Sequence, residues 1–148
     1  LIPADAATFS VGISFNKKLI QTQNYDFDPE IGDFKNEISR ARTFGFYEDV
    51  EKMTKLGLMR GGSLDNAVVI KGEEIMNEGG LRFADEFVRH KVLDAVGDLS
   101  LAGAPIRCHF VGHCTGHAMN NKLLRALFAD ASAWHYADGA SAPSVIAA

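Results

Sequence analysis

The chain has only two cysteines, Cys108 and Cys114, so a disulfide framework is excluded. If both sat on one strand they would share a face, a poor geometry for pairing. A reduced, cytoplasmic setting is therefore the simpler expectation. No stretch approaches the roughly 18 apolar residues of a membrane span. The opening LIPADAATFS has no basic segment, so no secretory leader is expected, and it has no Met, which suggests a piece of something longer. Basic residues are outnumbered, 15 against 19, giving net charge −4 and a pI of about 5.7. Nucleic acids and anionic membranes favour basic patches, so neither is an expected partner. Internal repeats, linkers and a P-loop lysine pattern are also missing. What remains is 148 residues, 47% apolar and 23% charged, an ordinary globular composition of single-domain size.

Along the chain, Phe9, Val11, Ile13 and Phe15 alternate with small or polar residues, which predicts a half-buried strand. Tyr25 and Phe27 repeat the period, and a hairpin follows. GDFKNEISRAR has helical spacing, and FYEDVEKMTKLG reads as a second helix capped at Gly57. A β-branched strand runs from Ala67 to Ile70, KGEE turns it, and Ile75 and Met76 pair back. The longest helix is expected from about Phe83 to Leu101, ended by Gly103 and Pro105. PIRCHFVGH reads as a strand and HAMNNKLLRALFAD as a closing helix with Leu123, Leu124, Leu127 and Phe128 as its apolar stripe. The small-residue tail, 131–148, is expected to be loose. These elements suggest an α+β fold, a mixed sheet with helices packed on one face.

Chemistry could sit in several places. His90, Asp94 and Asp98 are spaced four apart in the long helix, and at about 100° per residue each step turns only about 40°, so they share a face. An imidazole and a carboxylate one turn apart can reach one zinc ion, although a catalytic zinc usually has three protein ligands. The plain alternative is a solvated His–Asp pair. CHFVGHCTGH, residues 108–117, gathers both cysteines and three histidines. On a helix His109, His113 and His117 would make a zinc site. On a strand each neighbouring pair is about 13 Å apart, too far for one ion. Gly112, Gly116 and the alternation after Pro105 favour the strand. His117 stands at the start of a helix, whose N-terminus disfavours an imidazolium unless a carboxylate compensates. Gly61, Gly62 and Ser63 could cradle phosphate, or simply turn the chain into a core strand.

ISRARTFGF, GLMRGGSLDNAVV, NEGGLRFADEFVRHKVLDAVGDL and TGHAMNNKLL together resemble the UDP-3-O-acyl-N-acetylglucosamine deacetylases, the LpxC family of zinc enzymes in lipid A synthesis. The resemblance runs from about Thr8 to Phe128. It implies the second of the family's two α+β domains, over residues 1–130, with a βαβ insert at about 44–80. It implies His90 and Asp94 as zinc ligands, His117 as the catalytic histidine and Asp98 as its carboxylate partner. Lys91 would lie near substrate, and Thr43 would help hold the oxyanion. Phe44 and Asp49 would contact substrate, and Met59, Gly62, Ser63, Ala67 and Val69 would wall a passage for the acyl chain of a nucleotide-sugar lipid precursor. The third zinc ligand and the general base would come from an amino-terminal domain outside this sequence, so the 148 residues alone are expected to be nearly inactive. One departure stands out: the family often carries a basic residue three before the catalytic histidine, suited to the substrate diphosphate, and here it is Cys114. The rivals are a non-catalytic module binding a nucleotide-sugar or a partner, and a small zinc protein using Cys108, His109, His113 and Cys114.

Overall fold

A computed structural model describes residues 1–15, 19–57, 61–137 and 144–147. The main sheet is built around two neighbouring parallel strands, β2 (Thr8–Ile13) and β7 (Ile106–His113). β3 (Gln23–Phe27) closes the predicted hairpin antiparallel to β2. Short β1 (Ile2–Pro3) lies along the other side of β7. Alternation along β2 and β7 sends Phe9, Val11, Ile13, Ile106, Cys108 and Phe110 to one face, where all are buried. Thr8, Ser10, His109 and His113 go to the other, as the period of two requires.

The buried face is covered by α2 (Glu86–Leu99), whose Val88, Val92, Ala95 and Leu99 form its core stripe. Next to α2 lies α3 (His117–Ala129), which buries Leu124. The architecture is α+β with mixed sheets and the helices against one face. The helix α2 starts later than its periodicity suggests, because the Arg82 N–H is bonded to the Glu86 carboxylate and Phe83 is held in a turn. It ends in a short 3₁₀ turn, Ser100–Ala102, closed by Gly103 at φ 80°.

The second sheet is the insert. β4 (Thr43–Phe46), α1 (Tyr47–Lys55) and β5 (Ala67–Lys71) form a βαβ unit with β4 and β5 parallel, and β6 (Glu74–Ile75) returns antiparallel. Gly57 sits just past α1 at φ 73°, as its reading as a C-cap expects. Asn77 completes this sheet where β6 ends. Its Oδ1 accepts the Val69 N–H, and its Nδ2 donates to the Leu64 and Ala67 carbonyls. The side chain is buried, so Asn77→Ala strands polar groups without water and should cost about 3 kcal/mol. The urea midpoint of the variant checks this, and an unchanged midpoint would contradict it.

Three sequence expectations change. GDFKNEISRAR is not a full helix but one five-residue π turn, Phe34–Ile38, capped by the Asp33 carboxylate on the Asn36 N–H. Phe46 ends β4 and does not open the second helix, which starts at Tyr47. The tail holds two strands, β8 (Trp134–Ala137) and β9 (Ser144–Ala147), which pair with each other, and β9 also runs parallel to β7. Trp134 packs edge-on against Phe128 at 5.1 Å, which ties β8 to α3.

Candidate active site

Four residues on α2 and α3 converge. The helical repeat puts His90, Asp94 and Asp98 on one face of α2, and the turn after β7 presents His117 to it at the first residue of α3. His90 Nδ1 is 3.0 Å from the Ala41 carbonyl. A carbonyl only accepts, so Nδ1 carries the proton and Nε2 is directed to the opposite side. There Nε2 meets Asp94 Oδ1 at 3.3 Å. His117 Nδ1 is 2.9 and 3.0 Å from the two oxygens of Asp98, and its Nε2 is 3.7 Å from Asp94 Oδ1. The His117 side chain is 72% exposed while Asp94 and Asp98 are 10% and 14%. The imidazole therefore faces open space with its carboxylate partners behind it.

Asp98 is itself held. Asn120, 1% exposed, donates from Nδ2 to Asp98 Oδ2 at 2.8 Å. Lys91 Nζ lies 2.8 Å from Asp94 Oδ2, and 5.8 Å from the centre of the Phe44 ring. Burial alone would raise the Asp94 carboxyl, but the bonds from His90 and Lys91 outweigh it and push the pKa down to about 2. In the metal-free chain the stability from this group is fully present above the unfolded value of 3.8 and is lost as pH falls toward about 2. Acid unfolding of Asp94→Asn should lack that part of the loss, on the order of 2 kcal/mol. Superimposable acid-unfolding curves for parent and variant would show the inference wrong.

The donors fit a zinc ion: an imidazole Nε2 whose other nitrogen is bonded to a backbone carbonyl, and a carboxylate facing it. His90 Nε2 and the ionised Asp94 lie only 3.3 Å apart, bridged by a proton in the metal-free chain, and a metal cation between them would take that proton's place. The number of donors falls short. Among the described residues no group of three His, Cys, Asp or Glu could hold a metal ion, so a further ligand would have to come from elsewhere.

CHFVGHCTGH is not brought together. Alternation on β7 buries Cys108 in the core and leaves His109 bonded to Thr8 on the opposite face. Cys114, at φ 50°, turns its sulfur to Ser14. Both cysteines are free thiols. Only His117, beyond the strand, reaches the cluster on α2.

The insert supplies a groove of about 280 Å³ lined by Tyr47, Val50, Gly62, Ser63, Leu64, Ala67, Val69 and Met76. Four of the residues expected to wall a passage are there, and Met59 lies outside the described residues. Thr43 is register-paired with Ala67, so the groove wall borders the strand end that carries Thr43. Phe44 packs on Phe87 at 4.9 Å. Asp49 is exposed on α1, 3.7 Å from Lys52, and does not line the groove. The double glycine makes a turn: Ser63 N–H bonds Asn66 Oδ1, and Asn66 Nδ2 bonds the Gly61 carbonyl. Sequence reasoning misses Asn120, the Ala41 carbonyl and the groove walls Tyr47, Val50, Leu64 and Met76. Only Asn120 leaves a trace, a polar residue three after His117 on the same side of α3.

Residues 1–129 match the family described as LpxC, UDP-3-O-acyl N-acetylglycosamine deacetylase. The chain belongs to the LpxC family. It is 52% identical over 134 residues to the UDP-3-O-acyl-N-acetylglucosamine deacetylase of Myxococcus xanthus, covering 90% of this chain and 43% of that protein. It is 50% identical over 151 residues to the enzyme of the same name from Chromobacterium violaceum, covering 97% of this chain and 49% of that protein. The chain thus spans less than half the length of these LpxC relatives. No helix among its described residues is long and apolar enough to cross a membrane.

Proposed function

We propose that this chain supplies one half of a zinc-dependent deacetylase site that removes acetate from UDP-3-O-acyl-N-acetylglucosamine on the way to lipid A, in the cytoplasm. The observation that carries the reading is the His117–Asp98 pair standing against the His90–Asp94 pair, with all four side chains within contact of the next. His90 Nε2 and Asp94 would hold the zinc, with the third ligand and the general base supplied by the amino-terminal domain. When bound, zinc supplies Lewis-acid chemistry, polarising the amide carbonyl and the attacking water.

The chain's own residues do the rest. Asp98 accepts the Nδ1–H of His117 and so favours the doubly protonated ring, whose Nε2–H hands its proton to the departing amine as the C–N bond breaks. The acetyl carbon takes the water oxygen and leaves as acetate. Thr43, exposed at the start of β4, offers its hydroxyl to the oxygen that gains charge. Lys91 neutralises Asp94 on its outer side and lies over Phe44 near the substrate. The groove of Gly62, Ser63, Ala67 and Val69 takes the acyl chain, whose apolar burial orients the sugar.

The test is a chimera in which this chain replaces the matching segment of the Myxococcus xanthus relative. Loaded with zinc, it should release acetate from the acylated nucleotide sugar, while the 148 residues alone release almost none. A folded, zinc-loaded chimera that binds the nucleotide sugar without releasing acetate would favour a non-catalytic binding module instead.

A further inference from the structure

Glu86 occupies the first turn of α2, one helical turn before His90, and its side chain is fully buried. An isolated carboxylate there would be costly. This one is saturated. Its Oε1 accepts the Arg42 backbone N–H at 2.9 Å and Arg42 Nε at 2.8 Å. Its Oε2 accepts Arg42 Nη2 at 3.0 Å and the Arg82 backbone N–H at 2.6 Å. Burial alone would raise this carboxyl, but the bonds from Arg42 and Arg82 outweigh it and hold it below the ordinary glutamate range.

The partners have a pattern. Arg42 immediately precedes β4, and Gly80 and Arg82 follow β6, so they are the two ends of the insert. Arg42 Nη2 also donates to the Gly80 carbonyl at 2.8 Å, which ties end to end. Arg82 donates from Nη1 to the Arg40 carbonyl at 2.9 Å and from Nη2 to the Asp65 carbonyl at 3.3 Å, beside the groove. The Ala41 carbonyl, between Arg40 and Arg42, receives His90. One buried carboxylate thus gathers both ends of the insert onto the helix that carries His90 and Asp94.

We propose that Glu86 is a positioning residue that clamps the insert to α2 and thereby sets how far the groove lies from the His90–Asp94 pair, and so which acyl length is accepted. The acyl consequence rests on the deacetylase reading, whereas the clamp itself does not. A general stabilising role would act on the whole fold alike. The clamp makes the insert the part that loosens when Glu86 is altered.

The experiment is amide hydrogen exchange on the full 148-residue chain, parent against Glu86→Gln. The amide nitrogen put in place of one oxygen would face N–H donors, so part of the node becomes donor against donor. Exchange in Thr43–Phe46 and Ala67–Lys71 should quicken by about tenfold or more, while Thr8–Ile13 and Ile106–Phe110 stay within about twofold. Equal loss in both sheets, or parent protection in the insert, would overturn the clamp. Arg42→Lys keeps the charge and the backbone bond but loses the fork, and it should show the same contrast if Glu86→Gln does not fold. In the chimera, Glu86→Gln should lower the preference in kcat/KM for a long over a short 3-O-acyl chain by about fivefold or more. An unchanged ratio with a loosened insert would remove the acyl consequence and leave the clamp. An inactive parent chimera would count against the deacetylase reading, with the exchange result still deciding the clamp.

Discussion

In the chimera, His117→Ala is expected to lower kcat by about 10²–10⁴, the range that a positioned proton donor supplies. KM should move little and zinc content should not change. The reason is geometric. His117 is held by Nδ1 on Asp98, its Nε2 is 3.7 Å from Asp94 Oδ1, and its side chain is 72% exposed. It holds up no part of the core, so its removal takes away a proton at one place and leaves the fold. Asp98→Asn should also lower kcat, because an amide that turns its nitrogen to Nδ1 would reverse the tautomer, but the Asn120 bond keeps the side chain in place. Progress curves under saturating substrate check both. A His117→Ala chimera with parent kcat would remove the histidine from the chemistry.

The second large effect concerns metal. His90→Ala should strip zinc from the chimera, with a fall in affinity well beyond the roughly 10–100-fold that loss of an outer partner gives. The same change leaves the core intact, since the buried stripe of α2 is Val88, Val92, Ala95 and Leu99. Cys108→Ser, His113→Ala and Cys114→Ser should each keep one zinc per chain. Elemental analysis after dialysis measures all four. Zinc kept in His90→Ala and lost in a cysteine variant would move the site to residues 108–114. The parent 148 residues alone should hold zinc only weakly, because two donors are in reach where a site usually has three or more.

Much of this was legible where the cause is local. The period of two in Phe9, Val11 and Ile13 requires only a strand with one buried face, and the structure has it. The period of four in His90, Asp94 and Asp98 puts three donors on one side of a helix without any knowledge of neighbours. The proline and glycines that make CHFVGHCTGH a poor helix are local signals too. The rest depends on partners far along the chain. β4 is four residues with a glycine inside, and it exists because β5, more than twenty residues on, pairs with it in parallel. β9 is a strand for the same reason, through β7. Glu86 continues the His90–Asp94–Asp98 stripe, and its burial depends on arginines from both ends of the insert. Only the folded insert shows Asn77 completing a sheet edge. The roles of His117 and Asp98 came from family resemblance, because spacing can place donors but cannot name the group they serve.

A zinc-edge anomalous difference map from crystals of the chimera separates a metal held on α2 from one held in the Cys–His stretch. One peak is expected, about 2.0–2.2 Å from His90 Nε2 and from an Asp94 oxygen, with His117 Nε2 beside it and not bound. A peak among Cys108, His109, His113 and Cys114, with the His90–Asp94 space filled by water alone, would contradict it.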